Sequence, residues 1–137
     1  MSAVCILRLL PFPAFAVASI IWAARAPNGR KPLVVDWDMS LAAIANALTK
    51  LPHMASMLFL FALALLAVGP RRGGLAAALT FAVRITWEAV QTTVVGHNAR
   101  AADMAPNLLA VLIGWLVVEL VRRLVRVGAG ANASRAP

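Results

Sequence analysis

Four apolar runs, each near twenty residues, take up most of this chain, at about residues 3–24, 53–68, 75–95 and 104–124. A helix of about 20 apolar residues is what crossing the hydrocarbon core of a bilayer requires. In lipid every backbone N–H and C=O must be bonded internally, so such runs fold as helices or as a closed barrel. They lack the alternation of barrel strands, and no repeat of 20–50 residues occurs, which argues against a barrel. At 62% hydrophobic and 13% charged residues, the 137-residue sequence is too apolar for an ordinary soluble domain. The expected fold is all-α: a polytopic membrane four-helix bundle forming one domain over residues 1–127. A small, polar tail over 128–137 is expected to be disordered and cytoplasmic.

The run boundaries carry their own signals. Pro11 and Pro13 kink the first run or delay its regular helix. A cleaved signal peptide competes with an uncleaved helix there, because Ala24-Arg25-Ala26 has a small-x-small pattern; Pro27 directly after it disfavours cleavage. Cys5 is the sole cysteine and reads as a small apolar residue at the start of a helix. Pro52 suits the first turn of the second helix. The segment Gly69-Pro70-Arg71-Arg72-Gly73-Gly74 breaks the second run from the third, and Pro106 opens the fourth.

Four spans put both termini on one side, together with Arg8, Arg71, Arg72, Arg122, Arg123 and Arg126. That is the positive-inside arrangement, so both termini are expected in the cytoplasm of a bacterial cell, with the protein in the inner membrane. The net charge of +8 sits mostly at the ends of apolar runs. It reads as attraction to membrane lipid headgroups rather than to nucleic acid, since no basic stripe interleaves with aromatics. The first outer loop has structure of its own. Leu41, Ile44, Leu48 and Leu51 recur at helical spacing after Ser40, a good N-cap, with Trp37 as an anchor. This reads as a short interfacial helix, with a plain linker as the alternative.

Against this background the polar residues of the third and fourth runs stand out, because ionisable groups within a bilayer are costly and are kept for function. Arg84, Glu88 and Gln91 are spaced i, i+4, i+7 on one helix face. With the third helix ending at Val95, Glu88 lies roughly 10 Å below its outer end and Arg84 deeper still. Lys50 and His53 open the second helix on the same side. Asp103 and Asn107 open the fourth on one face, which continues through Ala110 and Gly114, small enough for close helix approach. Lys50, His53, Glu88, Gln91, His97, Arg100, Asp103 and Asn107 therefore converge on one outer-leaflet zone, with Arg84 and Gly114 in support. Each has a purely structural explanation as well. Arg84–Glu88 forms an i,i+4 pair, Gln91 and Asn107 are interhelical glue, Asp103 suits a helix N-terminus, and Arg100 suits a lipid phosphate.

The order of these residues resembles the VanZ-like family of small bacterial membrane proteins, over about residues 49–116. Lys50-Leu51-Pro52-His53 is similar to the family's Lys-x-x-His. Glu88-Ala89-Val90-Gln91 is similar to its Glu-x-x-Gln, and Gly96 follows Gln91 by five residues. Asp103, Asn107 and Gly114 fit its Asp-x3-Asn-x6-Gly. The chain departs from the pattern at His97, where the family has arginine, at Met57 in place of an aromatic, and at Ala110 in place of glycine. The resemblance implies an envelope protein, with a role in susceptibility to teicoplanin-type glycopeptides.

The function expected is non-enzymatic: binding of a lipid-linked or amphiphilic envelope ligand at the outer polar pocket. No catalytic residue, cofactor or metal is assigned, and no nucleic-acid partner; a homo-oligomer is compatible with the sequence. Two other classes stay open. A membrane enzyme could use Glu88 and His53 as base and acid, but no nucleophile motif is present, and Ser56 lacks a histidine partner of known spacing. A metal held by His53, His97, Glu88 and Asp103 would match no recognised ligand spacing. A small transporter subunit would need oligomers to alternate access with four helices. The topology is directly testable: alkaline phosphatase fused after Gly96 should be active and after Arg72 inactive, and the reverse pattern would overturn it.

Overall fold

The computed structural model of the protein describes residues 7–133. Cys5 and the start of the first apolar run, residues 3–6, lie outside the described residues, as does the tail from 134 to 137. The chain is mainly helical. A helical turn at residues 7–9 leads into α1 (Pro11–Ala24), with prolines in the first turn where no intrahelical N–H is needed. Then follow β1 (Val35–Asp36), α2 (Leu41–Leu48), α3 (Leu51–Val68), a 3-10 turn (Pro70–Arg72), α4 (Gly73–Gln91), β2 (Ala99–Arg100), a second 3-10 turn (Ala101–Asp103) and α5 (Met104–Ala133). The segments Leu7–Ala24 and Leu51–Val68 are long and apolar enough, by length and composition, to cross a membrane.

Local signals place most boundaries. Ser40 caps α2, its Oγ accepting from the Ala43 amide at 3.2 Å, as its N-cap chemistry predicts. Pro52 sits in the first turn of α3, and Gly69 at φ 92° ends that helix, its amide donating to the Leu65 carbonyl at 2.8 Å. Two boundaries differ from expectation. The third helix stops at Gln91 rather than at Val95. Thr92, Thr93, Val94 and Val95 are all β-branched; Thr92 caps the helix, and Thr93, Val94 and Val95 pair with the loop after α1. Lys31 N–H donates to the Thr93 carbonyl at 2.9 Å, Val95 N–H donates to the Gly29 carbonyl at 3.2 Å, and Arg30 bridges Val94. The fourth helix runs to Ala133 and takes in residues 128–133, expected to be disordered. Adding turns to an existing helix avoids the nucleation cost, so small residues suffice to extend it.

The loop after α1 and the loop after α4 are stitched together by β1 and β2, which lie parallel in the register Val35↔Ala99 and Asp36↔Arg100. This is a strand pairing that periodicity does not reveal.

α3 is the central helix, packing against α5, α4 and α1. The core joins Met57, Phe61 and Ala64 of α3 to Ala76 of α4 and to Ala110 and Val111 of α5. Buried positions are often alanine or polar (Ala16, Ala23, Thr80, Arg84, Asp103 and Asn107), while Ile21, Trp22, Leu66, Ile85, Leu116, Leu120 and Leu124 face outward. Small residues allow the close approach. A Cβ built on Gly114 would lie 2.8 Å from Phe61 Cδ1, and one on Gly73 would lie 2.9 Å from Trp115 Cδ1. Gly114→Val should therefore lower unfolding stability in detergent by about 1–3 kcal/mol. Adding Phe61→Leu should recover part of that loss; no change on Gly114→Val would mean that the helices are not in this contact.

Candidate functional site

The polar residues around the start of α3 fall into two ion pairs and one bridging histidine. Lys50 joins α2 to α3, and Asp103 closes the 3-10 turn ahead of α5. Lys50 Nζ lies 2.5 Å from Asp103 Oδ1, and the carboxylate is buried. The pair ties the start of α3 to the start of α5. On α4 the buried face runs Gly73, Ala76, Thr80, Arg84, a helical stripe aimed at α3. Its last member, Arg84, is 8% exposed. Its Nη2 donates to Glu88 Oε1, one turn along α4, and lies 2.7 Å from His53 Nδ1 on α3.

Chemistry settles the histidine's role in that contact. A guanidinium has no acceptor atom, so His53 Nδ1 accepts, and the proton of the neutral ring sits on Nε2. The network of Lys50, His53, Arg84, Glu88 and Asp103 thus holds two positive and two negative charges and is neutral as a whole. Asp103 is within electrostatic reach of His53, Arg84 and Glu88, which makes the two pairs one constellation. Buried charges persist only when paired and hydrogen-bonded, and here nearly every group is. The exceptions are Arg84 Nε and both amide atoms of Asn107, which are buried with no partner among the described residues.

The other expected site residues sit differently. With α4 ending at Gln91, Glu88 is three residues from the helix end, roughly 5 Å rather than 10 Å. Gln91 is half-buried beside that end. His97 is exposed; its backbone carbonyl accepts from Lys31 Nζ, and its ring is within electrostatic reach of Glu88. Arg100 leaves the pocket group. Its Nε donates to Asp36 Oδ2 at 3.0 Å, because the β1–β2 register sets the two residues side by side. Gly114 lies on α5 below Asn107 and serves helix contact with Phe61.

The structure adds a cavity that the sequence did not point to. About 140 Å³ of space lies between α1, α3 and α4, bounded by Phe15, Ser19, Leu60, Arg84 and Trp87, with Ser56 at its edge. An apolar cavity of about 150 Å³ holds a benzene, so this one accepts a group of that size. The Ser56 hydroxyl donates to the His53 carbonyl at 2.8 Å, one turn back on its own helix, so it is not poised as a nucleophile. Phe15/Ser19, Ser56/Leu60 and Val83/Trp87 each have i,i+4 spacing, a signal of three helix faces that does not say which faces meet. Among the described residues no group of three or more His, Cys, Asp or Glu side chains could hold a metal ion. No family model matches the chain, and neither a curated protein nor a solved structure is found to be similar to it.

The loop pair gives a measurable electrostatic signature. The Asp38 amide and then the Arg100 guanidinium hold the Asp36 carboxyl below its ordinary value of 3.8, and Asp36 in turn raises Arg100. A carboxylate with a depressed folded value contributes stability above the unfolded value and loses it as pH falls through the folded one. Carboxyl NMR should place the Asp36 midpoint below 3.8. Arg100→Gln should move it upward; an unmoved midpoint would mean that the pair does not form in solution.

Proposed function

We propose that this chain is a polytopic bacterial inner-membrane protein of the VanZ-like kind, a non-enzymatic binder of a lipid or other amphiphile at the outer half of a four-helix bundle. The inverted packing supports the membrane setting, since alanines and charges inside and leucines outside match a solvent of acyl chains. So does the gathering of Arg8, Arg71, Arg72 and the arginines of α5 toward one end, with the Lys50–Asp103 constellation at the other. α2, capped by Ser40 and with Leu41 and the nearby Trp37 exposed, lies at the outer interface in this reading.

One observation carries the binding proposal. Arg84 is charged, buried, lines the 140 Å³ cavity and keeps one N–H unpartnered. The other walls are largely apolar, and an amphiphile suits that combination: an acceptor oxygen for the guanidinium and an apolar segment against Phe15, Leu60 and Trp87. Because the surrounding network is neutral, recognition rests on directed hydrogen bonds more than on net charge. Lys50, His53, Glu88 and Asp103 hold Arg84 in position. Susceptibility to teicoplanin-type glycopeptides is the cellular consequence that the VanZ-like resemblance implies.

The test joins purified protein with cells. Protein extracted in mild detergent should carry a co-purifying amphiphile, detected by mass spectrometry of its lipid extract. Arg84→Lys, which keeps the charge but removes Nε, should retain at least tenfold less of it. Ser19→Leu, which fills the cavity without touching an ion pair, should do the same. In a deletion strain challenged with envelope-active antibiotics including teicoplanin, wild type should restore the parental response, and Glu88→Gln should fail to at equal protein level. Full retention of the amphiphile by both Arg84→Lys and Ser19→Leu would sink the cavity, and full complementation by Glu88→Gln would sink the network's role.

A further inference from the structure

The opposite end of the molecule carries a second feature. Between the Pro70–Arg72 turn and α5 runs an open groove of about 600 Å³. Its wall is a strip of valines, Val117, Val121 and Val125, one per turn of α5 and all more than half exposed. The strip covers roughly 12 Å along the helix axis. Its rim is cationic, with Arg122 and Arg126 on α5 and Arg71 on the turn opposite. A second groove of about 470 Å³ shares Pro70 and Arg71 with the first and adds Arg8 and Arg72.

The charge at this end is not balanced. The chain has five acidic residues, and Glu119 is the one near the groove. Arg122 at 3.1 Å and Arg123 at 3.2 Å hold it. Among the described residues no carboxylate lies within ion-pair distance of Arg71 or Arg126. Guanidinium groups flanking the Val121–Val125 half of a strip of β-branched side chains, with Val117 beyond them, match a molecule with an anion at one end and a hydrocarbon chain extending from it.

We infer that this groove is a binding site for an anionic phospholipid. The headgroup phosphate lies between Arg71 and Arg126, within reach of Arg122, and one acyl chain runs along Val117, Val121 and Val125. Arginine suits the task because its planar fork makes paired hydrogen bonds to phosphate oxygens. An acidic peptide would match the rim but would leave the valine strip without an apolar partner. The inference rests on the membrane reading above and is independent of the Arg84 cavity. On the positive-inside reading the site faces the cytoplasmic leaflet, and it fixes the height and tilt of α5 in the membrane.

Native mass spectrometry of the full chain in detergent, titrated separately with phosphatidylglycerol, phosphatidylcholine and free glycerol phosphate, tests it. Phosphatidylglycerol should bind at least tenfold tighter than phosphatidylcholine, and glycerol phosphate should not bind detectably. The triple change Arg71→Gln, Arg122→Gln, Arg126→Gln should erase the preference. Arg71→Gln alone, at an exposed turn, should weaken phosphatidylglycerol severalfold and serves where the triple variant does not fold. Val121→Asn should weaken both lipids alike, and Arg30→Gln at the far end should change neither. Equal binding of the two lipids, or a preference that survives loss of all three arginines, would overturn the site. Glycerol phosphate binding as tightly as phosphatidylglycerol would overturn the lipid assignment in favour of free phosphate. Carbonate extraction of cell membranes tests the membrane reading separately: release of the protein would remove that premise whatever the lipid titration shows.

Discussion

A guanidinium buried among helices has to be answered by its neighbours, and the packing of α3, α4 and α5 near Arg84 is arranged around that demand. Removing such a charge from water carries a penalty of several kcal/mol, repaid only by close pairing and well-aimed hydrogen bonds. Glu88 supplies the pairing from the same helix, one turn away. That alone would not fix how α4 sits on α3. His53 does, by accepting from Arg84 across the helix interface, and it can accept only as a neutral ring. Lys50–Asp103 completes the arrangement by clamping the start of α3 to the start of α5. One buried charge on α4 thereby specifies the relative rotation of helices that apolar packing alone would leave free to slide.

The close contacts elsewhere follow a complementary logic. In the membrane setting proposed above, outward leucine and valine leave little hydrophobic gain from helix association, and contact must come from shape. Ala64, Ala76 and Ala110 bring α3, α4 and α5 together, and Gly114 admits the Phe61 ring. The loops add a third kind of restraint. Backbone pairing of residues 30–36 with 94–100 ties the segment after α1 to the segment after α4, so α1 is held at its outer end although its own faces carry few packing signals. At its other end Arg8 donates to the Leu66 carbonyl near the end of α3.

What the sequence revealed and concealed follows from the range of the interaction involved. The Ser40 cap, the Pro52 start, the Gly69 stop and the Arg84–Glu88 pair all act within one or two helical turns, and each was legible from residue spacing. Asp103, Asn107, Ala110 and Gly114 were legible as one face because a helix repeats its faces regularly. The end of α4 was not, because Thr93–Val95 left the helix to pair with residues some sixty positions earlier. Arg100 was assigned to the pocket for want of its real partner, Asp36, which only the strand register supplies. The cavity was hidden for the same reason: three faces with ordinary i,i+4 patterns acquire meaning only when a fold brings them to one place.

The two ends of the molecule also differ in how their charges are balanced, and the difference bears on what each can recognise. Within the Arg84 network two positive and two negative groups are paired with one another. On the proposed reading a ligand there is selected by fit to the cavity beside Arg84 more than by net charge. At the Arg71–Arg126 end the arginines exceed the acids and stand in the open, so attraction to anionic headgroups acts at a distance but discriminates poorly among them. On the proposed reading, weakly selective attraction would set the position in an abundant lipid, while a hydrogen-bonding site within a neutral network could pick out a scarce amphiphile from that same background. The asymmetry is written in the placement of five acidic residues: two neutralise the Arg84 network, two lie in the first loop, and one is left at the arginine-rich end.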